Sequence, residues 1–155
     1  MAKTLEKRLN EGQHLQKAIN NLNQSYERRI SRYDKRIGKM LEKEHIYFIT
    51  FTLSDKYINL KENTIERKIK EALGSASSWI VNRDYGKKNN RLHYHSLVAY
   101  EQELIYKDLI SIYRYGSIDI IPVKDKNQKA LREYLLGHIE KQTASKVMVS
   151  RKRRV

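Results

Sequence analysis

The stretch from Ser77 to Tyr100 constrains the fold most. Ser77 to Asp84 and Arg91 to Tyr100 are strand-like runs rich in β-branched and aromatic residues. Between them, Tyr85-Gly86-Lys87-Lys88-Asn89-Asn90 has the composition of a hairpin turn. Two strands joined so closely run antiparallel. A turn centred between Lys88 and Asn89 opposes residues whose numbers sum to about 177, which sets Asp84 across from His93. Side chains alternate faces with a period of two, so His93, His95 and Asp84 are expected on one face. A slip of one residue would send Asp84 to the other side, which makes this register the critical expectation.

Upstream, Leu5, Leu9, Leu15, Ile19, Leu22, Tyr26, Ile30, Tyr33, Ile37 and Met40 recur mostly at steps of three and four. That is one stripe of a long helix over Leu5 to Leu41, with Thr4 as its expected cap. Such a helix reads as a dimerising coiled coil, as an arm that grips DNA, or as a helix packed on its own domain. The polar gap around residue 12 interrupts a strict heptad. A strand over Ile46 to Leu53 and a helix over Ile65 to Leu73 precede the hairpin. A helix near Glu103 to Tyr113, a strand through Ile118 to Pro122, a helix over Gln128 to Lys141 and a short strand at Lys146 to Ser150 follow it. This order predicts an α+β fold, with a central antiparallel sheet of about four to five strands and helices on its faces, preceded by a long N-terminal helix. The expected boundaries are a basic helical arm over 1–44, a domain over 45–150 and a basic tail over 151–155.

The chain has 155 residues, about one domain. Its 32 basic and 18 acidic residues leave a net charge of +14, which favours a polyanionic partner, nucleic acid first. Without cysteine there are no disulfides, iron–sulfur clusters or thiolate zinc sites. No apolar run reaches the roughly 18 residues of a membrane span, and the N-terminus lacks a signal-peptide core. A cytoplasmic protein without a membrane partner is the expectation, with an amphipathic helix on a membrane surface as the weaker reading of the same charge.

Two imidazoles and one carboxylate on adjacent strands make a three-ligand site with open positions. Nitrogen and oxygen donors without sulfur suit a divalent ion such as Mn²⁺ or Mg²⁺, with zinc as an alternative. On the last helix Tyr134, His138 and Lys141 lie at i, i+4 and i+7 and share a face, while Leu135, Leu136 and Ile139 line another that can pack on the sheet. A tyrosine there can act as a nucleophile beside a Lewis acid. Lys87, Lys88 and Arg91 beside the histidines, and Arg151 and Arg153 in the tail, suit phosphate contacts. Tyr85, Tyr94 and Trp79 are candidates to stack on unpaired bases, although alternation puts at least some of them in the core.

Phe51-Thr52-Leu53-Ser54, the apolar-flanked His93-Tyr94-His95 and the late helical Tyr134 with a lysine downstream stand in a characteristic order and spacing. Over residues 45 to 150 the chain resembles the HUH endonuclease superfamily, and within it the rolling-circle replication initiators of plasmids and single-stranded DNA bacteriophages. The resemblance implies His93 and His95 as metal ligands, an acidic third ligand mapped to Asp84, and Thr52 among the DNA contacts. It also implies that Tyr134 attacks a DNA phosphate, leaving a 5′-phosphotyrosine link and a 3′ hydroxyl that a polymerase can extend. The implied function is site-specific nicking and rejoining of single-stranded or hairpin DNA at a replication origin, with a host helicase and polymerase as partners. Many relatives carry a lysine three residues after the nucleophile, and some a second tyrosine four residues after it; here those places hold Gly137 and His138. A two-tyrosine mechanism is therefore not expected, and the missing charge falls to Lys141 or another basic residue, with His138 as a proton donor or phosphate contact. A catalytically inactive nucleic-acid-binding protein and a transposase or relaxase using the same chemistry are the alternatives, and the N-terminal helix offers a route to self-association.

Overall fold

The computed structural model of the chain describes residues 2–85, 91–125, 127–136 and 147–151. Helix α1 (Ala2–Met40) runs unbroken for 39 residues. It begins ahead of Thr4, which therefore lies inside the helix and does not cap it; alanine and lysine at the preceding positions are good helix formers. The chain divides into two compact units, one through Arg36 and one from Ile37 onward.

In the second unit the last turn of α1 leads to β1 (His45–Thr52), α2 (Glu62–Ala72), β2 (Ser78–Tyr85), β3 (Leu92–Tyr100), α3 (Tyr106–Ile112), β4 (Ile118–Pro122), α4 (Gln128–Leu136) and β5 (Val147–Val149). The strands form one sheet in the order β4-β1-β3-β2-β5, and every neighbouring pair is antiparallel. The fold is α+β, as the element order predicts. Pro122, which has no N–H to donate, closes the edge strand β4. Helix α3 starts later than Glu103 because Ile105 is extended and the Leu104 N–H donates to the Tyr47 hydroxyl at 3.2 Å. The part of the last helix expected beyond Leu136 lies outside the described residues.

One face of the sheet carries the main core. Tyr47, Ile49, Phe51, Trp79, Val81, Tyr94 and Val98 alternate onto it and pack with Ile65, Ile69 and Leu73 around α2 and with Leu109 and Tyr113 around α3. Trp79 and Tyr94 are thus interior residues and not base-stacking platforms, the core outcome that alternation allowed for some of the three aromatics; it turns Tyr94 away from its two histidine neighbours. The Tyr94 hydroxyl donates to Glu66 at 3.3 Å, and Glu66 also meets the Arg83 guanidinium at 3.5 Å, so this carboxylate serves two polar groups of the core.

Burial raises the phenols of Tyr94 and Tyr113 above the usual tyrosine range and pushes Tyr100 up to about 12. In the unfolded chain they would ionise near pH 10, so above about pH 10 the unfolded state holds fewer protons and stability falls as pH rises. We expect these three of the eleven tyrosines to stay silent in an ultraviolet titration until the sheet unfolds cooperatively above about pH 11. Smooth titration of all eleven with the far-ultraviolet spectrum intact would contradict it.

Candidate active site

The opposite face of the sheet changes character along the strands. One cross-strand row is apolar: Ile121, Phe48, Leu97, Ile80 and Val149 lie side by side. The next is Asp119, Thr50, His95, Asn82 and Val147, and the one after it is Thr52, His93 and Asp84. Asp84 pairs with His93, the register expected of the hairpin. Ile46, Ile80, Leu97 and Ala99 on the apolar half are buried, as are Ile37 and Met40 of α1 and Leu131 and Leu135 of α4. None of these belongs to the main core cluster, so this face has an apolar layer of its own.

At the polar end Asp84 Oδ2 lies 3.7 Å from His95 Nε2, with the two side chains 29% and 26% exposed. Thr50 Oγ1 sits 3.4 Å from His95 Nδ1, leaving Nε2 as the ring nitrogen turned toward the carboxylate. The His93 and His95 rings stack with centroids 6.3 Å apart and planes inclined by 23°. Two donors on one divalent ion lie about 3 to 3.5 Å apart, close to the Asp84–His95 separation. His93 has to turn to join them, and among the described residues no three such side chains already converge on one centre. The set is two imidazoles and a carboxylate on one face. It fits a hard or borderline divalent ion, and no thiolate is present to favour a softer one.

Tyr134 reaches the same place from α4. Asn127 caps this helix, its side-chain oxygen accepting the Ala130 N–H at 3.1 Å. Leu131 and Leu135, four residues apart, are buried, and Tyr134 beside them is 54% exposed. Its ring meets Phe48 edge-on at 4.8 Å and His95 edge-on at 6.3 Å. It therefore stands at the border of the apolar and polar rows. Asn82, interior to the sheet, donates from Nδ2 to the Leu135 carbonyl at 3.1 Å and ties this turn of α4 to the His95 row.

Sequence reasoning missed Asn82, Thr50 and Phe48. The available signal was a lone amide in the run Ile80-Val81-Asn82, since a polar group inside a buried strand requires a partner. Of the expected DNA contacts, Thr52 faces the site from β1, and its hydroxyl donates to the Ser117 carbonyl at 3.2 Å. Arg91 forms an ion pair with Asp55, so a phosphate would compete with that carboxylate. Arg151 is exposed just beyond β5. Lys87, Lys88, His138, Lys141 and Arg153 lie outside the described residues.

Among the described residues no helix is long and apolar enough to cross a membrane. No family model and no curated protein matches the chain. Among solved structures it is similar to the crystal structure of the hypothetical protein ORF119 from Sulfolobus islandicus rod-shaped virus 1. The identity is 20% and the TM-score 0.48, over 68% of this chain and 93% of that one.

Proposed function

We propose that this chain nicks and rejoins single-stranded or hairpin DNA through a 5′-phosphotyrosine intermediate, and that it does so at an origin to start rolling-circle replication. The observation that carries this reading is the placement of Tyr134, exposed and edge-on to His95 at 6.3 Å, on the face that also holds His93 and Asp84. In the forward step Tyr134 Oη bonds to phosphorus, the bond from phosphorus to the 3′ oxygen breaks, the phenol loses its proton and the departing 3′ oxygen gains one. The phosphotyrosine ester conserves the phosphoryl bond, so the same 3′ hydroxyl can reverse the step. A divalent ion, Mn²⁺ or Mg²⁺, held by His93, His95 and Asp84 would supply Lewis-acid polarisation of the phosphate. Asn82 and Phe48 hold the turn that carries Tyr134, and positioning is most of what phosphoryl transfer requires of a protein. Lys141 and His138 are assigned to charge neutralisation and proton transfer. Thr52, Lys87, Lys88, Arg91, Arg151 and Arg153 are assigned to the DNA backbone, and a helicase and polymerase of the host to extension.

The test is incubation with end-labelled single-stranded DNA of its own replicon's origin and Mn²⁺, followed by denaturing electrophoresis. A labelled adduct that survives denaturation is expected. No adduct on DNA that the protein binds would sink the nickase reading in favour of a binding protein on the same sheet, which the unconverged ligands support. In His93→Ala we expect adduct formation to fall at least ~100-fold while DNA binding changes less than about twofold.

A further inference from the structure

At the end of β3 farthest from the histidines the chain turns toward α3, and a cleft of about 250 Å³ is bounded there by Ser75 and the first turn of that helix. Tyr100 lies on the order of 23 Å along the strand from His93. Tyr100, Glu101, Glu103 and Asp108 line the cleft, and Leu104 and Ile105 add apolar surface. No lysine or arginine lines it, in a chain that carries 32 of them. Glu101 meets Lys43 at 2.5 Å and accepts from the Ser77 hydroxyl at 3.1 Å. Glu103 and Asp108 form no ion pair among the described residues.

A second observation points to a ligand. Tyr100 is 6% exposed, and its hydroxyl is a buried polar atom that finds no hydrogen-bond partner among the described residues. Such a group is costly to leave unpaired. Its ring packs edge-on against Tyr47 at 5.9 Å, and the Tyr47 hydroxyl already accepts from the Leu104 N–H at 3.2 Å. Burial holds the Tyr100 phenol protonated, and Tyr47 and then Asp108 add to that effect. The hydroxyl end therefore lies toward the wall of the cleft that Asp108 forms.

We propose that this cleft binds an aliphatic polyamine, with one ammonium donating to the Tyr100 hydroxyl and the Asp108 carboxylate, another to Glu103, and the methylenes lying on Leu104 and Ile105. Carboxylates only accept, and an ammonium brings three donors and no acceptor. Bonds between the two are charge-assisted and of the stronger kind. A single divalent ion fits less well, because among the described residues no three acidic or imidazole side chains converge on one centre. Charges spread along a cleft suit a ligand whose charges are spread along a chain. The volume is smaller than that of sites for drug-sized ligands, as a slender amine requires. None of the residues assigned to nicking takes part, so the inference is independent of that reading.

Calorimetric titration of the full chain with spermidine in about 0.1 M salt is expected to show one saturable site, with Kd in the range of roughly 10 to 500 µM. Glu103→Gln and Asp108→Asn should each weaken it at least ~5-fold, and Glu27→Gln, an exposed carboxylate of α1, should leave it unchanged. Tyr100→Phe keeps the ring against Tyr47 and removes only the hydroxyl. That variant should bind at least ~5-fold more weakly while melting at the wild-type temperature or above, since it loses an unpaired buried group. Full affinity in the Glu103→Gln, Asp108→Asn double variant overturns the proposal, and so does a Tyr100→Phe chain that binds as tightly as the wild type. Two competitors complete the test. Displacement of spermidine by equimolar Mg²⁺ would overturn it in favour of a metal site. Binding of n-butylamine as tight as that of spermidine would overturn it in favour of a single ammonium, such as a lysine side chain of another protein.

Discussion

Tyr134→Phe should lose the covalent DNA adduct by ~10³-fold or more while binding the same single strand as tightly as the wild type. Phenylalanine keeps the ring that packs edge-on against Phe48 at 4.8 Å, so the seat of α4 is preserved and only Oη is removed. The side chain is half in solvent, so no unfolding is expected. The measurement is labelled DNA retained by the protein after denaturation, with a mobility shift beside it for binding. If the adduct persists, the nucleophile is another of the eleven tyrosines.

Gly116→Ala is expected to give the largest loss of stability, roughly 3 kcal/mol and on the order of 10 °C in melting temperature. A Cβ at Gly116 would overlap the Thr52 carbonyl and lie 3.0 Å from Leu53 Cα, so what it meets is backbone with nothing flexible to turn aside. The two segments are pinned on both sides of that contact. The Thr52 N–H donates to the Ser117 carbonyl at 3.0 Å and the Ser54 N–H to the Tyr115 carbonyl at 2.9 Å. The Tyr113 hydroxyl donates to the Thr52 carbonyl at 2.5 Å. Relief requires breaking some of these bonds, and because Thr52 stands opposite His93, the displacement would also reach the candidate site. Urea denaturation followed by Trp79 fluorescence measures the loss. A midpoint equal to that of the wild type would show that the close approach does not exist.

The hairpin was the most legible part of the sequence because its register follows from arithmetic. Once the turn is centred, alternation decides that Asp84, His93 and His95 share a face, and no packing information is needed. Strand and helix order was legible for a similar reason, since hydrophobic periodicity is local. What faces what across the sheet is not local. Nothing near Asn82 in sequence announces that its amide reaches the Leu135 carbonyl 53 residues later, or that Phe48 supports Tyr134. The same limit left Trp79 and Tyr94 open, since their aromatic character suits both a base and a core; only the identity of the face that α2 and α3 cover decides between them. The start of α1 was misjudged for a smaller reason, because a threonine near an N-terminus is a cap only if the residues before it are not helical.

The strand order β4-β1-β3-β2-β5 bears on how such a protein would change under mutation. The histidine strand is bonded along both edges, by β1 and by β2, so a substitution that disturbs its backbone endangers the whole molecule. Tyr134, the proposed nucleophile, rides on α4, which Leu131, Leu135, Phe48 and the Asn82 amide help to seat, so alterations there would disturb its alignment more than the sheet. Random variation would therefore fall unequally on the two halves of the site. On the proposed function, a lineage descended from this chain would be expected to retune or discard cleavage by drift in α4 long before it lost the sheet, passing through intermediates that still fold.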